Sequence, residues 1–297
     1  MAETHVQPVL VKQINEPLSS PWRDAWRILL KNKMAILGFC IILFFVLLAI
    51  LAPFITPYDY DKGELVDKNL PPSAEHWFGT DYNGRDVFTR VIYGAQISLR
   101  VGLLAVIGSV VAGTFLGLLA GYFGRWVDTL ISRLFDIMLA FPSILLAIAI
   151  VAILGPSLEN ALLAIAIVNV PTYGRLVRSR VLSLKEEEYV MAARAIGSKH
   201  SHIIMQHILP NSLAPIIVTG TLGIATAIIE AAALGFLGLG AQPPQPEWGL
   251  MLSDSRQYIQ KAPWTVFFPG LSIMLTVLGF NLIGDGLRDA LDPRMKN

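Results

Sequence analysis

The chain has 297 residues, 54% of them hydrophobic and only 15% charged, with a formal net charge of +1 at pH 7. Soluble domains carry nearer a quarter of charged residues, so a chain this long with so few points to lipid as part of its solvent. The near-neutral balance excludes nucleic-acid binding by bulk electrostatics, and the single cysteine, Cys40, excludes a disulfide framework or a cysteine-built metal cluster.

A helix needs about 20 apolar residues to cross the hydrocarbon core. Charge-free stretches run from Met34 to Ala52, Val101 to Gly124, Ile137 to Leu158, Asn160 to Gly174, Ile208 to Ile229 and Ala262 to Gly284. The fourth is short, and the helix is expected to continue through Arg175 and Arg178, whose long side chains can snorkel. None of the six alternates as a membrane-barrel strand does. The fold class expected is an all-α polytopic membrane protein with six transmembrane helices. The first span follows a long tail and lacks an A-x-A exit, so it reads as an uncleaved anchor.

Lys and Arg set the orientation. With the N-terminus in the cytoplasm, the inside segments hold 16 basic residues and the outside segments 7. Both termini are therefore expected in the cytoplasm.

In the tail, Trp22, Arg23, Trp26, Arg27, Lys31 and Lys33 suit a short interfacial helix or an ordinary positive flank. The first outside loop ends in His76-Trp-Phe-Gly-Thr-Asp81 and Gly84-Arg-Asp-Val-Phe88. After the Asn83-Gly84 turn, Val87, Val91 and Ile92 mark one face of a short helix, expected on the outer leaflet or as a docking surface for an external partner. The second outside loop, Gln242 to Gly249, is stiffened by Pro243, Pro244 and Pro246.

Catalytic equipment is scarce. No G-x-x-x-x-G-K-[ST] run is present, so nothing here cradles a nucleotide. His200 and His202, two apart, face different ways on a helix, which argues against a metal site. Glu230 interrupts the fifth apolar run ahead of a small-residue tract, Ala231 to Gly240. An ionisable group at that depth is a functional suspect; it either lines a polar passage or sits near a helix end bonded to a neighbour. Asp136 follows Arg133 by three residues, so the two can pair along one helix face.

The large loop from Glu186 to Asn211 is the most informative segment. Val190 to Ile196 is helix-forming, Gly197 tolerates positive φ, and Ser198 is placed to cap a second helix ended by Pro210. Ala192 and Ala193 offer a flat face that another protein's groove can accept. On physical grounds the segment is either a plain folded loop or a docking element.

This loop resembles the signature cytoplasmic loop of the permease subunits of bacterial ABC importers: E-A-A, three residues, G, nine residues, I-x-L-P. Ala192, Ala193, Gly197, Leu209 and Pro210 match at that spacing, while Met191 stands where Glu is usual and His207 where Ile is usual. Asp136-Ile-Met-Leu-Ala-Phe-Pro142, Phe236-Leu-Gly-Leu-Gly240, Trp248-Gly249 and Gly284 to Pro293, with the two outer-loop motifs above, extend the likeness to the C-type permease of the dipeptide/oligopeptide branch.

That resemblance implies a type I importer permease in the bacterial cell (inner) membrane. Its partners would be a second homologous permease, two ATPase subunits, an extracytoplasmic substrate-binding protein and a peptide substrate. The chain itself would be no enzyme and hold no cofactor; ATP would be bound and hydrolysed by the partners. Ala192, Ala193, Gly197, Leu209 and Pro210 would couple to the ATPase, and Glu230 is the candidate pathway residue. The implied organisation is a tail at 1–33, a first helix and outer loop at 34–96, a five-helix core at 97–289 containing the coupling loop 186–211, and a tail at 290–297. Nickel or oligosaccharide permeases are the alternatives within the family, and an ion-driven secondary transporter the alternative outside it.

Overall fold

The computed structural model describes residues 26–291. The expected interfacial helix around Trp22 and Arg23, and the C-terminal tail past residue 291, lie outside the described residues. A helical turn covers 26–29. The helices are α1 (Lys33–Ile55), α2 (Val87–Phe123), α3 (Arg125–Leu139), α4 (Ser143–Leu154), α5 (Leu158–Leu184), α6 (Glu188–Ala195), α7 (His200–His202), α8 (Leu209–Phe236), α9 (Trp248–Ser255) and α10 (Trp264–Leu291). A π turn, Ile203–Ile208, joins α7 to α8. Among the described residues the only β feature is an isolated bridge between Thr80 and Asp86.

Local chemistry sets the helix starts. Asn32 accepts from the Met34 and Ala35 N–H groups, Asp86 from Thr89, and Ser157 from Asn160, each satisfying donors that a first turn leaves free. Helices α1, α2, α5, the continuous run from α7 through α8, and α10 are each long and apolar enough to cross a membrane. The expected third span differs: α3 and α4 meet the same criterion only together, and they bend by 94° at the break between them. Pro142 explains the bend, since it lacks an N–H and drives Phe141 out of the helical region.

The second span is also longer than its apolar run. Helix α2 has 37 residues, about 55 Å at the α-helical rise, so it extends well past a bilayer core. Its first turns are the segment expected to form a separate outer-leaflet helix. Instead they continue the span, with Val87, Thr89, Arg90, Val91 and Ile92 buried. Packing against α9 and the preceding loop, not lipid, covers that apolar face.

The tightest helix pair is α2 with α5. Gly113, Gly117 and Gly121 recur every fourth residue along one stripe of α2, facing Val170 to Val181. A Cβ on Gly117 would stand 2.5 Å from the Gly174 oxygen and 2.8 Å from the Val177 Cβ. Small residues at this spacing let two backbones touch where lipid supplies no hydrophobic drive. Arg175 and Arg178, expected to snorkel, are paired instead: Arg175 Nη2 lies 2.6 Å from Asp136 Oδ1, and Arg178 Nη2 lies 2.7 Å from Asp128 Oδ2. Both acids belong to α3, so the pairs hold the broken span against α5.

Candidate functional site

The loop between α5 and α8 is a helix, a corner and a second helix. The corner is a complete Schellman closure: the Gly197 N–H donates to the Arg194 oxygen and the Ser198 N–H to the Ala193 oxygen, both at 3.0 Å. Gly197 adopts φ +78°, where a side chain would be strained. Two details differ from expectation. Ser198 does not cap the second helix, whose start at Lys199 has no side-chain cap. Nor does Pro210 end it, since α7, the π turn and α8 form one run. A proline ring clashes with the carbonyl four residues back in an α-helix, and the π turn ahead of Pro210 widens the helix to admit it.

Helix α6 has two unlike faces. Val190 and Ala193 turn inward and join Ile203 and Ile208 in a cluster with Leu118 and Tyr122 of α2, Val177 and Val181 of α5, and Ile216 of α8. The Tyr122 hydroxyl and His200 Nδ1 are 2.7 Å apart across the same junction. Facing out are Tyr189, Ala192 and Ile196, the last 82% exposed. Of the matched alanines, then, Ala192 faces solvent and Ala193 lies in the joint. Leu209 is partly buried on that cluster, and Pro210 is exposed. The loop is fastened to three long helices at once, so a push on its outer face reaches all three.

Glu230 lies in the second half of α8 and is 8% exposed. Asn169 of α5 donates to its Oε2 at 2.8 Å and to the Ile165 oxygen at 3.0 Å. Its helix neighbours Ala227 and Ala231, and Tyr173 of α5, belong to the main apolar cluster. Asn169 was not singled out from sequence. A lone amide in an apolar run was the available signal, because such a group needs a partner inside lipid.

At the far end of the bundle, the motif from His76 to Arg90 folds into a buried clasp. Asp81 Oδ1 accepts from the Asn83 and Arg85 N–H groups, and its Oδ2 accepts from Arg85 Nε at 2.7 Å. Arg90 Nη1 donates to the Tyr60 and Pro244 oxygens, and Trp264 Nε1 to the Thr80 oxygen. Glu247 caps α9 through the Gly249 and Leu250 N–H groups at 2.9 and 2.8 Å. Burial pushes the Glu247 carboxyl above its usual range, against the pull of those two N–H groups and Ser98. Asp254 is likewise raised by burial, with Arg85 and Arg90 opposing. Among the described residues no group of three or more His, Cys, Asp or Glu is placed to hold a metal ion.

Residues 113–297 match the profile of the binding-protein-dependent transport system inner membrane component, and residues 20–72 that of the N-terminal transmembrane domain of oligopeptide transport permease C. The dipeptide transport system permease protein DppC of Alkalihalophilus pseudofirmus is 66% identical, over 100% of both chains. A di/tripeptide transport system permease of Pseudomonas aeruginosa is 49% identical over 94% of each chain. A glutathione transport system permease of Escherichia coli is 48% identical over 95% of this chain and 93% of its own. Among solved structures, a chain of the inward-facing MetNI methionine ABC transporter superposes with a TM-score of 0.54 at 20% identity, covering 69% of this chain and 97% of that one.

Proposed function

Because the chain belongs to the family of binding-protein-dependent transport system inner membrane components, we propose that it is one of two homologous permease subunits enclosing a peptide pathway across the bacterial cell membrane. The long likeness to dipeptide and di/tripeptide permeases supports short peptides as the substrate. Both termini lie in the cytoplasm, as the basic residues favour. A substrate-binding protein delivers peptide to the outer face. Two ATPase subunits bind the inner face, and they hold and hydrolyse ATP. The chain itself catalyses no reaction and carries no cofactor.

One observation carries the coupling assignment: a loop with an exposed small-residue and apolar face outside and a packed joint inside. Ala192 and Ile196 enter a groove on an ATPase. Gly197 sets the corner, and Ala193 and Leu209 transmit its displacement to α2, α5 and α8. Pro210 fixes where the π turn hands over to α8. Glu230, held by Asn169, borders the pathway when the bundle rearranges. The chain divides as a tail at 1–33, a first helix with outer loop at 34–96, the core at 97–289 and a tail at 290–297.

The test is reconstitution with a second permease, two ATPases and a binding protein, followed by uptake of labelled dipeptide. ATP-dependent uptake that needs every partner is expected. Uptake by this chain alone, driven by an ion gradient, would overturn the reading.

A further inference from the structure

A groove of about 540 Å3 opens between α5, α8 and α10, at the end of the bundle that carries the coupling loop. Arg180, one turn before the end of α5, and Arg288, in the last turn of α10, stand at its mouth. No carboxylate among the described residues lies within ion-pair distance of either, whereas Arg175 and Arg178 on the same stretch of α5 are both paired. Away from the arginines the wall is mostly apolar, formed by Leu176 and by Pro215, Val218 and Leu222 of α8, with Thr219 the polar side chain among them. From Pro215 to Leu222 the α-helical rise amounts to about 10 Å, directed from the arginine level toward the bundle centre.

Two guanidinium groups with no acidic partner among the described residues, set above an apolar trough, fit an amphiphile with an anionic head. They fit a zwitterionic peptide poorly, because among the described residues no Asp or Glu lines the groove to receive its ammonium group. We propose that this groove holds an anionic phospholipid, its phosphate between Arg180 and Arg288 and one acyl chain along α8. Basic pockets between transmembrane helices on the cytoplasmic side bind such head groups. The inference rests on the cytoplasmic placement of this end of the bundle. The lipid would bear on the half of α8 that the coupling loop moves.

The experiment is native mass spectrometry of the complete complex in detergent, titrated with phosphatidylglycerol, phosphatidylcholine, inorganic phosphate or a dipeptide. Phosphatidylglycerol is expected to be retained over phosphatidylcholine, and neither phosphate nor dipeptide to displace it. Arg180→Gln and Arg288→Gln should each lower retention about fivefold, the loss of one interfacial cation. Lysine at the same positions should largely keep it. Val218→Trp, which fills the trough with both arginines intact, should also lower retention, and it carries the test if the arginine variants fail to assemble.

Equal retention of the two lipids would overturn the site, as would undiminished retention in Val218→Trp. Displacement by inorganic phosphate alone would reduce it to an anion site. Displacement by dipeptide would reassign the groove to the substrate pathway. Failure of lipid retention with ATP-driven uptake intact would remove the lipid site and leave the importer reading standing.

Discussion

Trp248 donates its indole N–H to the main-chain oxygen of Val91 at 3.0 Å, joining positions 157 apart in sequence. The ring is fully buried and meets Phe45 of α1 edge-to-face, with centroids 5.6 Å apart. One side chain thus ties α9, α2 and α1 together beneath the outer loops. Trp248→Ala is expected to cost about 3–5 kcal/mol, the range for emptying a large aromatic site. Trp248→Phe, which keeps most of the packing and loses the donor, should cost about 1 kcal/mol. Thermal unfolding of the purified chain in detergent separates the two, and equal melting temperatures for both variants would refute the tie.

The two faces of α6 call for different substitutions. Ile196→Glu changes only the exposed face, so membrane insertion and melting temperature should match the parent. Partner-stimulated ATPase activity and uptake should fall at least about tenfold, the equivalent of about 1.4 kcal/mol of lost contact. Ala193→Arg buries a charge in the joint and should disturb folding as well as coupling. Full stimulated activity in Ile196→Glu would remove this face from the coupling contact.

Gly197 separates corner geometry from contact. At φ +78° with no atom within 4 Å of an added Cβ, Gly197→Ala is strained by conformation and not by crowding. A cost of roughly 1–2 kcal/mol is expected. Gly197→Pro, which also removes the N–H donated to Arg194, should abolish stimulated ATPase activity while the chain still inserts. Assembly and ATP turnover at parental rates in Gly197→Pro would show that the corner is dispensable.

Asn169 and Glu230 form a polar pair inside an apolar cluster, and the two partners differ in what they lose. Asn169→Leu leaves the Glu230 oxygen without its donor and should destabilise the fold by about 1.5–3 kcal/mol. Glu230→Gln can keep one hydrogen bond and should fold normally. Its expected effect is lower peptide uptake with stimulated ATPase activity retained. Unchanged uptake kinetics in Glu230→Gln would confine the residue to packing.

The spans were legible because each depends on a local property, about 20 apolar residues without charge. The Gly197 corner was legible for the same reason, its conformation being nearly private to one residue type. What sequence did not reveal depends on partners distant in the chain. Arg178 looked like an interfacial cation because Asp128 lies 50 positions away. The turns after Gly84 looked lipid-facing because their cover, Trp248, comes from the last third of the chain. The bend at Pro142 was visible only as a residue that permits a kink, since a proline breaks the helix without fixing the angle. The inward turn of Ala193 was hidden too, because eight residues of α6 give little periodicity from which to fix a face.

Glu247 offers a test by pH. It lies outside the spanning helices, is buried, and has a carboxyl held above its ordinary value of 4.5 by desolvation. The unfolded chain therefore releases this proton at a lower pH than the folded protein does. Above about pH 4.5 the folded state binds more protons at this site than the unfolded state, so the contribution of Glu247 to stability falls as pH rises through that window. Glu247→Gln cannot ionise and escapes this loss, although it gives up one of the carboxylate acceptors at the α9 N-terminus. The melting temperature of the variant relative to the parent should thus improve as the pH rises above about 4.5, and level off once the folded carboxyl has ionised. Thermal scans in one detergent across that range would measure it, and a difference that stays constant or moves the other way would mean that burial does not govern this carboxyl.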